Sequence, residues 1–147
     1  MPVVGFNLEK ASVQRNKQLQ KGMQSKQNII VSSITPEEIQ LGEKSTRQGL
    51  KFSFEYEVLY EPGIGKVEIN GSILYTDDEK KIKEIQKEWD KNKKMSPELT
   101  AKVLNTAIMK CTIKALSLSQ EVNLPPHLPL PTIMPSPAVG REQDYIG

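Results

Sequence analysis

The chain has 147 residues, 37% of them hydrophobic and 26% charged, which is material for one hydrophobic core. The near balance of 20 basic against 18 acidic residues argues against an obligate polyanion binder, and no apolar run approaches the ~18–20 residues of a membrane span. One cysteine excludes an internal disulfide framework and a cysteine-cluster metal site, and one histidine removes most metal-hydrolase and triad chemistry.

Met1-Pro2-Val3-Val4-Gly5-Phe6 meets Glu9 and Lys10 before any signal-peptide core develops, so the expected compartment is the cytoplasm. From Val3 to Gln14 the alternation of Val4, Phe6 and Leu8 with Asn7 and Glu9 predicts a strand. Residues 15–28, polar and rich in Gln and Lys, read as a loop or linker. Asn28 to Ser33 reads as a second strand. Thr35-Pro36-Glu37-Glu38 then looks like a turn or a helix start.

The clearest strand follows. Leu50, Phe52, Phe54, Tyr56, Val58 and Tyr60 recur at period two, which gives one apolar, aromatic face and one charged face. Glu61-Pro62-Gly63-Ile64-Gly65 predicts a tight turn of type II, with Gly63 supplying the positive φ. A partner strand has Val67, Ile69, Ile73 and Tyr75 toward the core. Gly71 interrupts that face and suggests a bulge or a close helix. Thr76-Asp77-Asp78-Glu79 starts a charged helix running to Lys94, and Ser96-Pro97-Glu98 caps a longer one over 97–120. Leu99, Val103, Leu104, Ala107, Ile108, Cys111, Ala115 and Leu118 form its apolar stripe, which should lie across the aromatic face. From Val122 the prolines take over (Pro125, Pro126, Pro129, Pro131, Pro135, Pro137), and no helix continues.

These elements make an α+β domain over residues 1–121, an antiparallel sheet covered by helix 97–120, followed by a Pro-rich extended segment over 122–147. The aromatic face either serves wholly as core or stays partly open as an apolar interaction groove. The Pro/Leu stretch 124–133 is a free tail, a docked extended segment or a ligand for a proline-reading module. Glu55, Glu57 and Glu68 read as a solvated strand surface, Cys111 as a buried small hydrophobe, and His127 as a surface residue. No catalytic constellation, Gly-rich phosphate loop, metal site or cofactor is expected, and nucleic-acid binding is not expected from the mixed-sign helix 80–94.

Phe6-Asn7-Leu8-Glu9-Lys10-Ala11-Ser12, the run Phe52 to Tyr60, Gly71-Ser72-Ile73 and Val122-Asn123-Leu124-Pro125-Pro126 stand in an order that resembles the SecB chaperone family. The resemblance implies a four-stranded antiparallel sheet with helices packed on one face. It also implies oligomers, dimers or tetramers, that hold unfolded or precursor polypeptides in hydrophobic grooves during protein transport. On that basis the expected function is a SecB-like holdase without catalysis. The expected client-binding residues are Phe52, Phe54, Tyr56, Ile73, Tyr75, Trp89, Leu124, Leu128 and Leu130. The rival reading is a structural or adaptor subunit that docks a protein partner through the Pro-rich C-terminal segment.

Overall fold

The computed structural model describes residues 3–40, 42–43 and 45–129. Four strands, β1 (Val3–Arg15), β2 (Gln24–Gln40), β3 (Thr46–Glu61) and β4 (Gly65–Tyr75), precede two helices, α1 (Glu79–Asn92) and α2 (Pro97–Glu121). The strands form one antiparallel sheet in the order β1-β4-β3-β2. The fold is α+β.

The period-two pattern of β3 explains its central place. Leu50, Phe52, Phe54, Tyr56, Val58 and Tyr60 are all buried, as are Val67, Ile69, Ile73 and Tyr75 beside them on β4. Both helices cover this face, α2 packing on β4, β1 and β3 and α1 on β3 and β2. On α2 the buried positions Leu99, Val103, Ala107, Cys111, Ala115 and Ser119 recur every four residues. The small side chains along this stripe let the helix backbone settle close to the sheet.

Both helices begin as the sequence predicts. The Ser96 hydroxyl accepts a bond from the Leu99 N–H at 3.2 Å, with Pro97 in the first turn. Asp77 Oδ1 accepts from the Asp78 N–H at 2.7 Å where α1 starts. Lys93, in the left-handed region at φ 54°, ends α1.

β2 differs from its expected form at both ends. It starts at Gln24, inside the stretch read as a loop, and runs through Pro36 to Gln40, where a turn or helix start was expected. β2 is an edge strand, so Pro36 can lack an N–H there without breaking the ladder. A register shift between Val31 and Ser33 keeps Val31, opposite Phe54, and Ile34, opposite Phe52, on the helix side.

The β3–β4 turn is one residue wider than the type II turn expected. The Ile64 N–H closes back on the Tyr60 carbonyl at 2.8 Å, and Gly63 sits at φ 64°.

Gly71 does stand at a bulge, but the extra residue is Glu9 of β1, between Leu8 opposite Gly71 and Lys10 opposite Asn70, and the closest approaches come from β1 and β3 rather than from a helix. A methyl group there would run into the Asn7 carbonyl oxygen of β1 and the Phe54 ring. The missing side chain lets the Phe54 ring lie over β4 and stack on Phe6 of β1, centroids 5.7 Å apart. Lys110 on α2 places its Nζ 4.8 Å from the centre of the Phe6 ring.

The other face of the sheet carries polar and charged groups. Lys10 pairs with Glu68 at 3.4 Å, Lys66 also pairs with Glu68, and Lys51 pairs with Glu9 at 3.7 Å. The Lys66 and Lys10 ammonium groups hold the Glu68 carboxyl below its ordinary range. Exposed pairs of this kind add little to stability.

Candidate functional site

The helices do not cover the apolar face evenly. α1 reaches β2 at the Ile34 end, where Gln86 Nε2 donates to the Ile34 carbonyl at 3.2 Å. α2 lies toward β4 and β1. Between α2 and the middle of β2 a furrow of about 260 Å³ remains, lined by Gln27, Asn28, Ile29 and Ile108. Ile29, opposite Tyr56, and Val31, opposite Phe54, are only half-buried on this side. Leu104, one turn before Ile108 on α2, is half-buried as well.

The segment after α2 lies next to the Gln27 end of the furrow, joined to it through Tyr56. Asn123, at φ 59°, ends the helix in a left-handed turn, and the Leu124 N–H bonds back to the Ser119 carbonyl at 2.8 Å. The Asn123 N–H reaches Gln120 at 3.2 Å, completing the paired bonds of a Schellman ending. The Leu124 side chain drops onto β4 at Gly65. A Cβ at Gly65 would meet the two Leu124 δ-methyls at 3.0 and 3.1 Å and the Gln14 carbonyl oxygen at 2.7 Å.

Two tyrosine hydroxyls of β3 then hold the chain. Tyr60 Oη donates to the Pro125 carbonyl at 2.6 Å, and Tyr56 Oη lies 3.1 Å from His127 Nε2. Gln27 Nε2 donates to both Tyr56 Oη, at 2.9 Å, and Thr112 Oγ1, at 3.0 Å, so β2, β3, α2 and the post-helix segment meet at one polar knot. Burial pushes the Tyr56 and Tyr60 phenols above their ordinary values. Burial likewise pushes His127 below 6.5. Its Nδ1 is buried with no hydrogen-bond partner among the described residues.

The nine residues expected to bind clients do not form one open surface. Phe52, Phe54, Tyr56, Ile73, Tyr75, Trp89 and Leu124 are buried in the core. Leu128, 39% exposed, stands at the surface beyond His127. Leu130 lies outside the described residues.

Tyr75 is fixed apart from the furrow. Its hydroxyl donates to Asp77 Oδ2 at 2.8 Å, and burial with that carboxylate pushes the phenol up to about 12. Trp89 closes the core under α1, with Lys93 Nζ 5.5 Å from its ring centre.

His127 is a correction to the sequence reading. It is a half-buried partner of Tyr56 rather than a surface residue. Ile29, Val31, Leu104 and Ile108, which line or border the furrow, were not among the nine. Their signal was present as apolar residues on β2 and α2 opposite one another. What was missing was where the helices leave the sheet uncovered.

Among the described residues no cluster of three or more His, Cys, Asp or Glu is placed to hold a metal ion. No described helix is long and apolar enough to cross a membrane.

No protein-family model matches the sequence, and no curated protein matches it. Among solved structures, the chain is similar to the Mycobacterium tuberculosis Rv1957 SecB-like chaperone, in complex with a ChAD peptide from the Rv1956 HigA1 antitoxin. The identity is 12%, the match covers 89% of each chain, and the TM-score is 0.42. That likeness carries no argument about what this chain does.

Proposed function

We propose that this chain is a SecB-like holdase, cytoplasmic and dimeric or tetrameric, that holds unfolded or precursor polypeptides without catalysis and without a cofactor. The observation that supports it is the furrow between α2 and β2, where half-buried Ile29 and Ile108 line an edge of the sheet that the helices cover only in part. An apolar client segment lying there gains roughly 25 cal/mol for each Å² of apolar area it removes from water. That gain does not depend on sequence, so such a site accepts many clients.

Leu128, exposed in the folded chain, is the first of the described candidate residues that a client reaches. Phe52, Phe54, Tyr56, Ile73, Tyr75, Trp89 and Leu124 form the floor and walls beneath it, and a client touches them directly only where their cover shifts. Self-association finds support on the outer side of α2. There Met109 and Ile113, one turn apart, are 67% and 65% exposed.

The test is suppression of aggregation. At low micromolar concentration the purified chain keeps a chemically denatured client from scattering light after dilution. No suppression at a stoichiometric excess overturns the reading. The adaptor alternative is separated by deleting residues 122–147. An adaptor then loses its partner while the fold survives, whereas a groove protein loses client capture, because the cut also takes away the buried Leu124 wall. The bonds from Tyr56 and Tyr60 weigh against residues 125–127 serving as a free ligand for another protein.

A further inference from the structure

The stretch from Pro125 to Pro129 is attached differently from the residues just before it. Leu124 is fixed twice, by its amide bond to Ser119 and by packing on Gly65. Beyond it, two side-chain contacts hold the chain, Tyr60 to Pro125 and Tyr56 to His127. Pro125, Pro126 and Pro129 have no N–H, so this stretch cannot zip onto a neighbouring strand at those positions. In the docked form His127 Nδ1 is buried with no partner among the described residues, a cost that is relieved when the ring reaches water.

The manner of attachment is that of a bound extended peptide. A backbone carbonyl is taken by a fixed hydroxyl, and a side chain enters the knot at the end of the apolar furrow. Tyr56 belongs both to this attachment and, through Gln27, to the furrow's edge. The site therefore continues directly into the space that the segment occupies.

We propose that residues 125–129 are an internal occupant of the chain's own polypeptide site, a strap hinged at Leu124 that an apolar client segment must displace. This inference rests on the holdase reading and adds a closed state to it. The affinity measured for a client is then reduced by the fraction of molecules whose strap is open. Any change that loosens the strap without touching the furrow tightens client binding.

The test uses the full chain and fluorescein-labelled α-lactalbumin, reduced and carboxymethylated so that it stays unfolded. Binding is read by anisotropy for the wild type, Tyr60→Phe and His127→Ala. Loss of one strap contact is expected to tighten binding by about 3- to 10-fold, the range set by one net hydrogen bond. A second measurement needs no variant. The ring proton resonances of His127 in the wild type with saturating client should move to free-imidazole positions, while the Leu124 amide, bonded to Ser119, stays protected from exchange.

Tighter binding by the variants together with free-imidazole positions for the His127 ring supports the strap. Client binding by the wild type with unchanged or weaker binding by both variants, or with His127 ring resonances that do not move, overturns it and leaves the holdase reading standing. That result makes the segment a wall of the site. No client binding by any form overturns both.

Discussion

The Tyr60 hydroxyl donates to the carbonyl oxygen of Pro125 at 2.6 Å, joining two residues 65 positions apart. A residue of the central strand thus fastens the chain that follows the last helix. Phenylalanine keeps the buried ring and removes only this bond. Tyr60→Phe should lower unfolding stability by about 1 kcal/mol, the usual net value of one hydrogen bond, with an unchanged denaturant slope. A loss above about 3 kcal/mol in urea titrations would mean that the hydroxyl supports the core itself rather than the attached segment.

His127 makes the same attachment sensitive to pH. The groups facing it are the hydroxyl of Tyr56 on β3, with Gln27 of β2 and Thr112 of α2 in the same knot. Burial holds its folded-state value below 6.5, so the unfolded or detached form binds the proton more readily. The stabilisation is complete above 6.5 and is lost as pH falls through the lowered value. The Leu128 methyl resonances should therefore move toward their unstructured positions between pH 7.5 and pH 5. In His127→Gln the movement should vanish. The chain's single histidine is the only side chain that ordinarily titrates in this window. An equal movement in His127→Gln would assign it to another group.

Gly71→Ala tests the crossing of Phe54 over β4. The added methyl meets the Asn7 carbonyl and the Phe54 ring together, and a strand carbonyl cannot swing aside as a flexible side chain can. The expected cost is about 2–3 kcal/mol, the upper part of the range for overpacking. It should appear as a lower urea midpoint and as loss of the Phe6–Phe54 stack from aromatic proton shifts. An alanine variant with wild-type stability would rule out this account of the glycine.

Cys111 sits in the α2 stripe with no exposed surface, and burial pushes its thiol up to about 12. The thiolate is the reactive form, so a disulfide reagent at pH 8 should modify the native chain only through opening of the fold. The labelling rate should rise with urea in step with unfolding. Rapid labelling of the native chain would place the thiol at the surface.

The sequence reveals most where a residue's neighbours along the chain decide its place. The alternation from Leu50 to Tyr60 and the spacing from Leu99 to Leu118 announce β3 and α2 without reference to any partner. Gln24 to Gln27 and Pro36 to Gln40 carry no such pattern. Their extended form comes from pairing with the β3 backbone, and the side chains held there, Gln27 and Ile39 among them, stand too far apart to make a local pattern. Gly71 looked like a defect because the ring that fills its place belongs to another strand. His127, set among prolines, looked exposed because Tyr56 lies 71 residues away. The apolar members of the candidate site were visible as types. Which of them stay open depends on where α1, α2 and the segment after α2 come to rest, and no local pattern encodes that.

The sheet order also sets a timetable. β2, β3 and β4 pair with their neighbours in sequence, but β1 pairs only with β4, at the far side of the other two strands. On the ribosome β1 is made first and completed last. At ~5–20 residues per second it waits roughly 3–12 s before β4 has been synthesised. For that interval Val4, Phe6, Leu8 and Val13 belong to a nascent strand with no ladder to join.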